Sequence, residues 1–130
     1  MASVWIKIRP KAAPRPRFSR NGTYNPAEYT NYKKAIALIA KTKFEKKDTP
    51  ITMKIEFFFK VPKSWSKAKK ENIPHHTSKP DVDNLVKSVK DALNGVAYKD
   101  DSQVVSIFAR KQYAQEDAVF IEVMEAKHNE

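Results

Sequence analysis

Ile51, Met53, Ile55, Phe57 and Phe59 alternate with Thr52, Lys54, Glu56, Phe58 and Lys60. Apolar residues at a period of two over this length mark a strand with one buried face, and no other stretch of the chain is as clear. Such a strand needs neighbours in a sheet and a layer to cover its apolar side. Val4, Ile6 and Ile8, alternating with Trp5, Lys7 and Arg9, supply a first strand that stops at Pro10. Val105, Ile107 and Ala109 supply another. A polar connection from Gln112 to Asp117 then leads to Val119, Ile121 and Val123, which read as its antiparallel partner.

Two helices complete the pattern. Asn25-Pro26 has the form of an N-cap followed by proline at the first helical position, and the helix should run to about Lys43 with Tyr29, Tyr32, Ile36 and Ile39 as its apolar stripe. The two tyrosines read as core or boundary residues rather than base-stacking platforms. Leu85, Val86, Val89, Ala92 and Leu93 form a second stripe between Pro80 and Gly95, the punctuation expected just outside a helix start and just past its end. Between Pro62 and this helix lies a lysine-rich excursion, Lys63 to Thr77, with room for a short helix after Ser64 or Ser66. The order strand, helix, strand, helix, strand, strand predicts an α+β fold. Its single mixed or antiparallel sheet has about four strands, with two main helices packed on the buried face. At 130 residues this is one domain, 1–130.

The chain carries a formal net charge of +10, and Lys7, Arg9, Lys11, Arg15, Arg17 and Arg20 all precede the first acidic residue. An excess distributed this unevenly points to a polyanionic partner rather than to a uniformly solvated surface. Pro10, Pro14 and Pro16 interleave with Lys11, Arg15 and Arg17, so this stretch is a stiffened basic loop. The absence of cysteine excludes disulfides, thiolate zinc sites and cysteine nucleophiles. No apolar run approaches the roughly 20 residues of a membrane span, and the N-terminus lacks a signal-peptide core, so a cytoplasmic protein is expected.

The second helix carries the chemistry. Asp81 and Asp83 stand at its start, where unpaired backbone N–H groups and the helix dipole favour negative charge, and Lys87 follows one turn later. Beyond the helix come Asp100 and Asp101. A helix from about Val82 to Asn94 is roughly 20 Å long, and Gly95 to Lys99, if extended, spans a similar distance at about 3.3 Å per residue. The spacing thus permits one acidic cluster built from two pieces. Mg²⁺ prefers oxygen ligands and needs only one or two carboxylates when substrate phosphate oxygens and water complete its shell. Helix capping by Asp81, a turn at Asp100-Asp101 and a surface Asp83/Lys87 pair account for the same residues, and spacing alone leaves both readings open.

The run PDVDNLVKSVKDAL, followed by KDDSQV, resembles the signature of the RusA family of Holliday junction resolvases, with its D-x-D-N-L-x-K helix start and downstream DD-x-Q-V. The resemblance implies a Mg²⁺-dependent endodeoxyribonuclease, for which Mn²⁺ could substitute, that cuts four-way junctions by paired symmetric hydrolysis as a homodimer. With the returning-chain argument it assigns Asp81, Asp83 and Asp101 as metal ligands and places Lys87 near the scissile phosphate. Asp100 is the less determined member of its pair, and Asn84 is read as fixing the helix start. RusA-like proteins carry a proline-rich basic segment after the first strand, which makes Lys11, Arg15 and Arg17 DNA-contact candidates, with Lys79 on a flanking phosphate. His75 and His76 precede the motif, but neighbours in an extended segment point opposite ways and an oxygen-ligand site does not need them. A general branched-DNA nuclease and a non-catalytic basic nucleic-acid-binding module are the competing functions.

Overall fold

The computed structural model describes residues 2–14 and 26–127. The chain forms β1 (Ala2–Ile6), α1 (Pro26–Ala40), β2 (Ile51–Lys60), a short α2 (Lys67–Glu71), α3 (Val82–Leu93), a 3₁₀ turn (Asp101–Gln103), β3 (Val104–Ala114) and β4 (Ala118–Glu125). Alternation makes β2 the backbone of the core: Ile51, Met53, Ile55, Phe57 and Phe59 are buried, while the residues between them are at least partly exposed. Tyr29, Tyr32, Ile36 and Ala40 of α1 and Leu85, Val89, Ala92 and Leu93 of α3 join that row in one hydrophobic cluster. This is the α+β arrangement read from the sequence.

The sheet is mixed, in the order β1-β4-β2-β3. β3 runs parallel to β2, as the α3 crossover allows, and β4 runs antiparallel to both β1 and β2. The expected hairpin between the last two strands therefore does not form. β4 presents a denser apolar face, with Val119, Ile121 and Val123 all but inaccessible, and takes the central position, whereas β3 carries the exposed Val105 and Phe108 and lies at the edge. The chain crosses the end of β2 between them. Asp117 holds that crossing, its carboxylate accepting from the Lys60 N–H at 2.8 Å and from Arg9 at 3.2 Å. β3 also continues to Ala114, taking in the first residues of the Gln112-to-Asp117 stretch read as a connection, because it pairs with β2 as far as Lys60.

α1 ends at Ala40, short of Lys43, and buried Ala40 replaces half-exposed Ile39 in its apolar stripe. Asn25, read as its N-cap, lies outside the described residues. Ser66 caps α2 by accepting from the Lys69 N–H at 3.1 Å. No helix among the described residues is long and apolar enough to cross a membrane.

Candidate active site

α3 begins where its punctuation places it, with Asp81 in the N-cap position and Asp83 in the first turn. Asp81 has the extended backbone of a cap, φ −74° and ψ 144°, yet its carboxylate makes no capping hydrogen bond. The Lys79 ammonium lies 3.9 Å from it. Capping therefore does not explain this carboxylate.

The second acidic piece arrives by a different path from the expected one. Gly95 adopts φ +80°, a conformation that glycine reaches without steric cost, and its N–H donates to the Tyr98 carbonyl at 2.8 Å. The segment after α3 is thus a tight turn and not an extended return to the helix start. Tyr98 is fully buried, and its hydroxyl donates to the Lys90 carbonyl at 2.9 Å, fastening the turn to the C-terminal half of α3. Burial, and then the negative charges of Asp101, Asp91 and Asp100, push its phenol well above the usual range.

Asp83 and Asp101 consequently line one cleft of ≈ 340 Å³ together with Val86, Lys87, Lys90, Asp91 and Ile107. The cleft is elongated: Asp83 and Asp91, both in its lining, are about 12 Å apart along the helix axis at about 1.5 Å per residue. Asp81 is not part of the lining. Among the described residues no three His, Cys, Asp or Glu side chains converge closely enough to hold an ion by themselves. The donor chemistry nonetheless fits a hard cation, because the cleft offers carboxylate oxygens and a Mg²⁺ ion needs few of them once phosphate and water are present.

Asp100 and Asp101, identical in the sequence, divide their roles. Asp100 caps the 3₁₀ turn, accepting from the Ser102 N–H at 3.0 Å, while Gln103 Oε1 accepts from the Asp100 N–H at 2.8 Å. The hydrogen bonds from Ser102 hold the Asp100 carboxyl below its usual pKa. Gln103 Nε2 donates to the carbonyls of Lys47 and Thr49, both at 3.0 Å, tying the turn to the segment before β2. Asp101 is left facing the cleft.

Asp91 is a cleft residue that motif reading missed. It lies four residues after Lys87 on the same helix face, a spacing that could have revealed it. The Lys87 ammonium is 3.6 Å from its carboxylate, which also accepts from the Tyr29 hydroxyl at 2.9 Å. Lys87 is thereby held along the cleft wall.

The basic loop meets α3 at the same place. The N–H of Ala13, a buried residue, donates to the Asn84 carbonyl at 2.9 Å, next to Asp83. Lys11 is exposed two residues before that junction, 3.9 Å from Glu28. Arg15 and Arg17 lie outside the described residues. His76 is packed between Phe59 and Tyr113, each ring centroid at 4.5 Å, and burial followed by the charge of Lys111 lowers its pKa. His75 is exposed, and Trp65 packs edge-on against Tyr113. Both His76 and Trp65 thus serve packing.

A protein-family model described as endodeoxyribonuclease RusA matches residues 7–124. The chain belongs to the RusA endodeoxyribonuclease family. A Bacillus subtilis (strain 168) protein described as uncharacterized protein YqaN is 40% identical over 130 aligned positions, covering 89% of this chain and 90% of that protein. The crossover junction endodeoxyribonuclease rusA of Lactococcus phage r1t is 32% identical over 109 positions, covering 83% of this chain and 76% of the phage protein. In this RusA-family chain the D-x-D-N-L-x-K segment builds the α3 side of the cleft, and DD-x-Q-V builds a braced turn with one outward carboxylate.

Proposed function

We propose that this chain is a Mg²⁺-dependent, structure-selective endodeoxyribonuclease that resolves Holliday junctions by paired symmetric hydrolysis. The observation that carries the reading is the junction of the basic loop with the acidic helix start, through Ala13 and Asn84. A surface that attracts phosphates is thereby coupled to carboxylates that would repel them without a cation between.

Asp83 and Asp101, which line the cleft, are the residues that would hold the metal, and Asp81, at the helix entry outside the lining, is the third carboxylate that the motif offers. Bound there, Mg²⁺ supplies charge neutralisation at the phosphodiester and a readily deprotonated water. Lys87 offers a positive charge for the extra negative charge of the transition state, and Asp91 keeps that ammonium at the cleft. Lys11, Arg15, Arg17 and Lys79 contact flanking phosphates and set orientation without reading base sequence. Two chains acting as a homodimer would present paired sites to a nearly symmetric branched substrate. The edge position of β3, with Phe108 exposed on the face away from the cleft, leaves a strand that a second copy would cover. A cytoplasmic setting and a part in DNA recombination belong to the same reading.

A substrate panel tests it. Labelled four-way junction, fork, flap and linear duplex are incubated with the protein in Mg²⁺ or in EDTA. Symmetric nicks in the junction, dependent on Mg²⁺ and absent from the duplex, are expected. Cutting of every branched form without symmetry would replace this reading with a general branched-DNA nuclease, and binding without cutting in Mg²⁺ or Mn²⁺ would leave a nucleic-acid-binding module.

A further inference from the structure

Lys111 lies on the inner face of β3, opposite buried Phe57 in the strand register, where a lysine is out of place among Ile107, Ala109 and Tyr113. Lys111 is partly buried, and its ammonium is tethered to the protein rather than left to solvent alone. Here the partners are main-chain carbonyls: Lys111 Nζ donates to Ser78 O at 2.6 Å and to Pro80 O at 2.9 Å. Both carbonyls belong to the strap that enters α3, and the second is adjacent to Asp81. Tyr113, two residues along the same face, stacks on His76 and holds the beginning of that strap. The end of β3 therefore grips the chain at His76, Ser78 and Pro80, in the residues just before the acidic motif.

Other anchors of α3 act further along. Burial of Leu85 and Val89 fixes the helix body, and the Ala13 contact is made at Asn84. Asp83 is inside the helix and inherits its rigidity. Asp81, in the N-cap position, directly follows Pro80, so the strap sets where the chain enters the helix.

We propose that Lys111 is a positioning residue for the acidic site, fixing the helix entry that presents Asp81 by bridging the Ser78 and Pro80 carbonyls. The inference rests on the nuclease reading for its effect on cleavage, but not for its effect on the backbone. Lys111→Met removes the ammonium and keeps most of the stem, whereas Lys111→Arg keeps a charged donor able to span two carbonyls.

The three proteins are compared for cleavage rate at saturating enzyme on a labelled four-way junction in Mg²⁺, junction affinity in EDTA, melting temperature, and hydrogen exchange of backbone amides over residues 78–85. The Leu85 amide is a useful reporter, since it donates to the Asp81 carbonyl at 3.1 Å. Lys111→Met is expected to cut about a hundredfold more slowly, the scale that a small misplacement of a reacting group can cost. Its affinity should be unchanged, exchange over 78–85 faster, and the rate largely recovered in Lys111→Arg. A Lys111→Met protein with wild-type rate and wild-type exchange overturns the proposal. So does a loss of rate that follows a fall in melting temperature and is not recovered by arginine. If wild type cuts no junction, the nuclease reading fails, and the exchange comparison alone then decides whether Lys111 fixes the strap.

Discussion

Replacing Gln103 by alanine should loosen the one turn that mounts Asp101. Three hydrogen bonds end on this side chain: Nε2 donates to the Lys47 and Thr49 carbonyls, both at 3.0 Å, and Oε1 accepts from the Asp100 N–H at 2.8 Å. A hydrogen bond of this kind contributes a net of about 0.5–1.5 kcal/mol. The Asp100 N–H is exposed and can turn to water after truncation, so its bond counts for little, and the two partly buried carbonyl contacts dominate. A destabilisation of about 2 kcal/mol follows, or a fall in melting temperature of roughly 8 °C for a domain of this size. Gln103→Glu should be at least as harmful. It keeps an acceptor for the Asp100 N–H but turns a carboxylate toward two carbonyl oxygens. Urea unfolding of the three proteins with a common slope measures the difference. A loss below about 0.5 kcal/mol in Gln103→Ala, within the range of neutral surface changes, would refute the idea that this side chain braces the turn.

Two further outcomes follow from the same structure. His76 has a pKa lowered in the folded state, so as pH falls below its unfolded value of about 6.5 the unfolded chain gains a proton that the native aromatic sandwich resists. Stability should be level above that pH and decline below it, and His76→Phe should flatten the decline; an equal decline in both proteins at pH 5.5 relative to pH 8 would contradict the assignment. Lys11→Ala and Lys79→Ala should each weaken junction binding similarly across sequences and reduce the slope of log affinity against log salt by about 1, while an unchanged slope would remove that residue from the phosphate contacts.

What the sequence made legible was local periodicity and punctuation. The ten-residue alternation of β2 and the Pro80-to-Gly95 bracket around α3 report burial and chain geometry within a few residues, and both elements lie where those signals put them. The insertion of β4 between β1 and β2 is a non-local choice, made by the apolar density of competing strands and by Asp117 at the crossing, and the two-residue period of β3 and β4 carries no record of it. Spacing also limits reach without choosing a path. Gly95 to Lys99 could have spanned the helix, but the left-handed glycine and the buried Tyr98 hydroxyl turn the chain at once. Spacing alone does not separate Asp100 from Asp101, whereas the Gln103 side chain, accepting from the Asp100 N–H, does. Lys111 was hidden for a related reason: its partners are backbone carbonyls in a distant segment, and backbone oxygens leave no mark on residue identity.

The most direct test of the central claim is single-turnover cleavage of a labelled four-way junction by wild type and Asp83→Asn, each in Mg²⁺ and in EDTA, with junction binding measured alongside. Wild type should make paired symmetric nicks only with Mg²⁺, and Asp83→Asn should bind the junction at least as tightly yet leave it intact, since the substitution removes a ligand charge and a repulsion together. Cleavage by Asp83→Asn at the wild-type rate, or by wild type in EDTA, would show that the acidic cleft is not where the phosphodiester is cut.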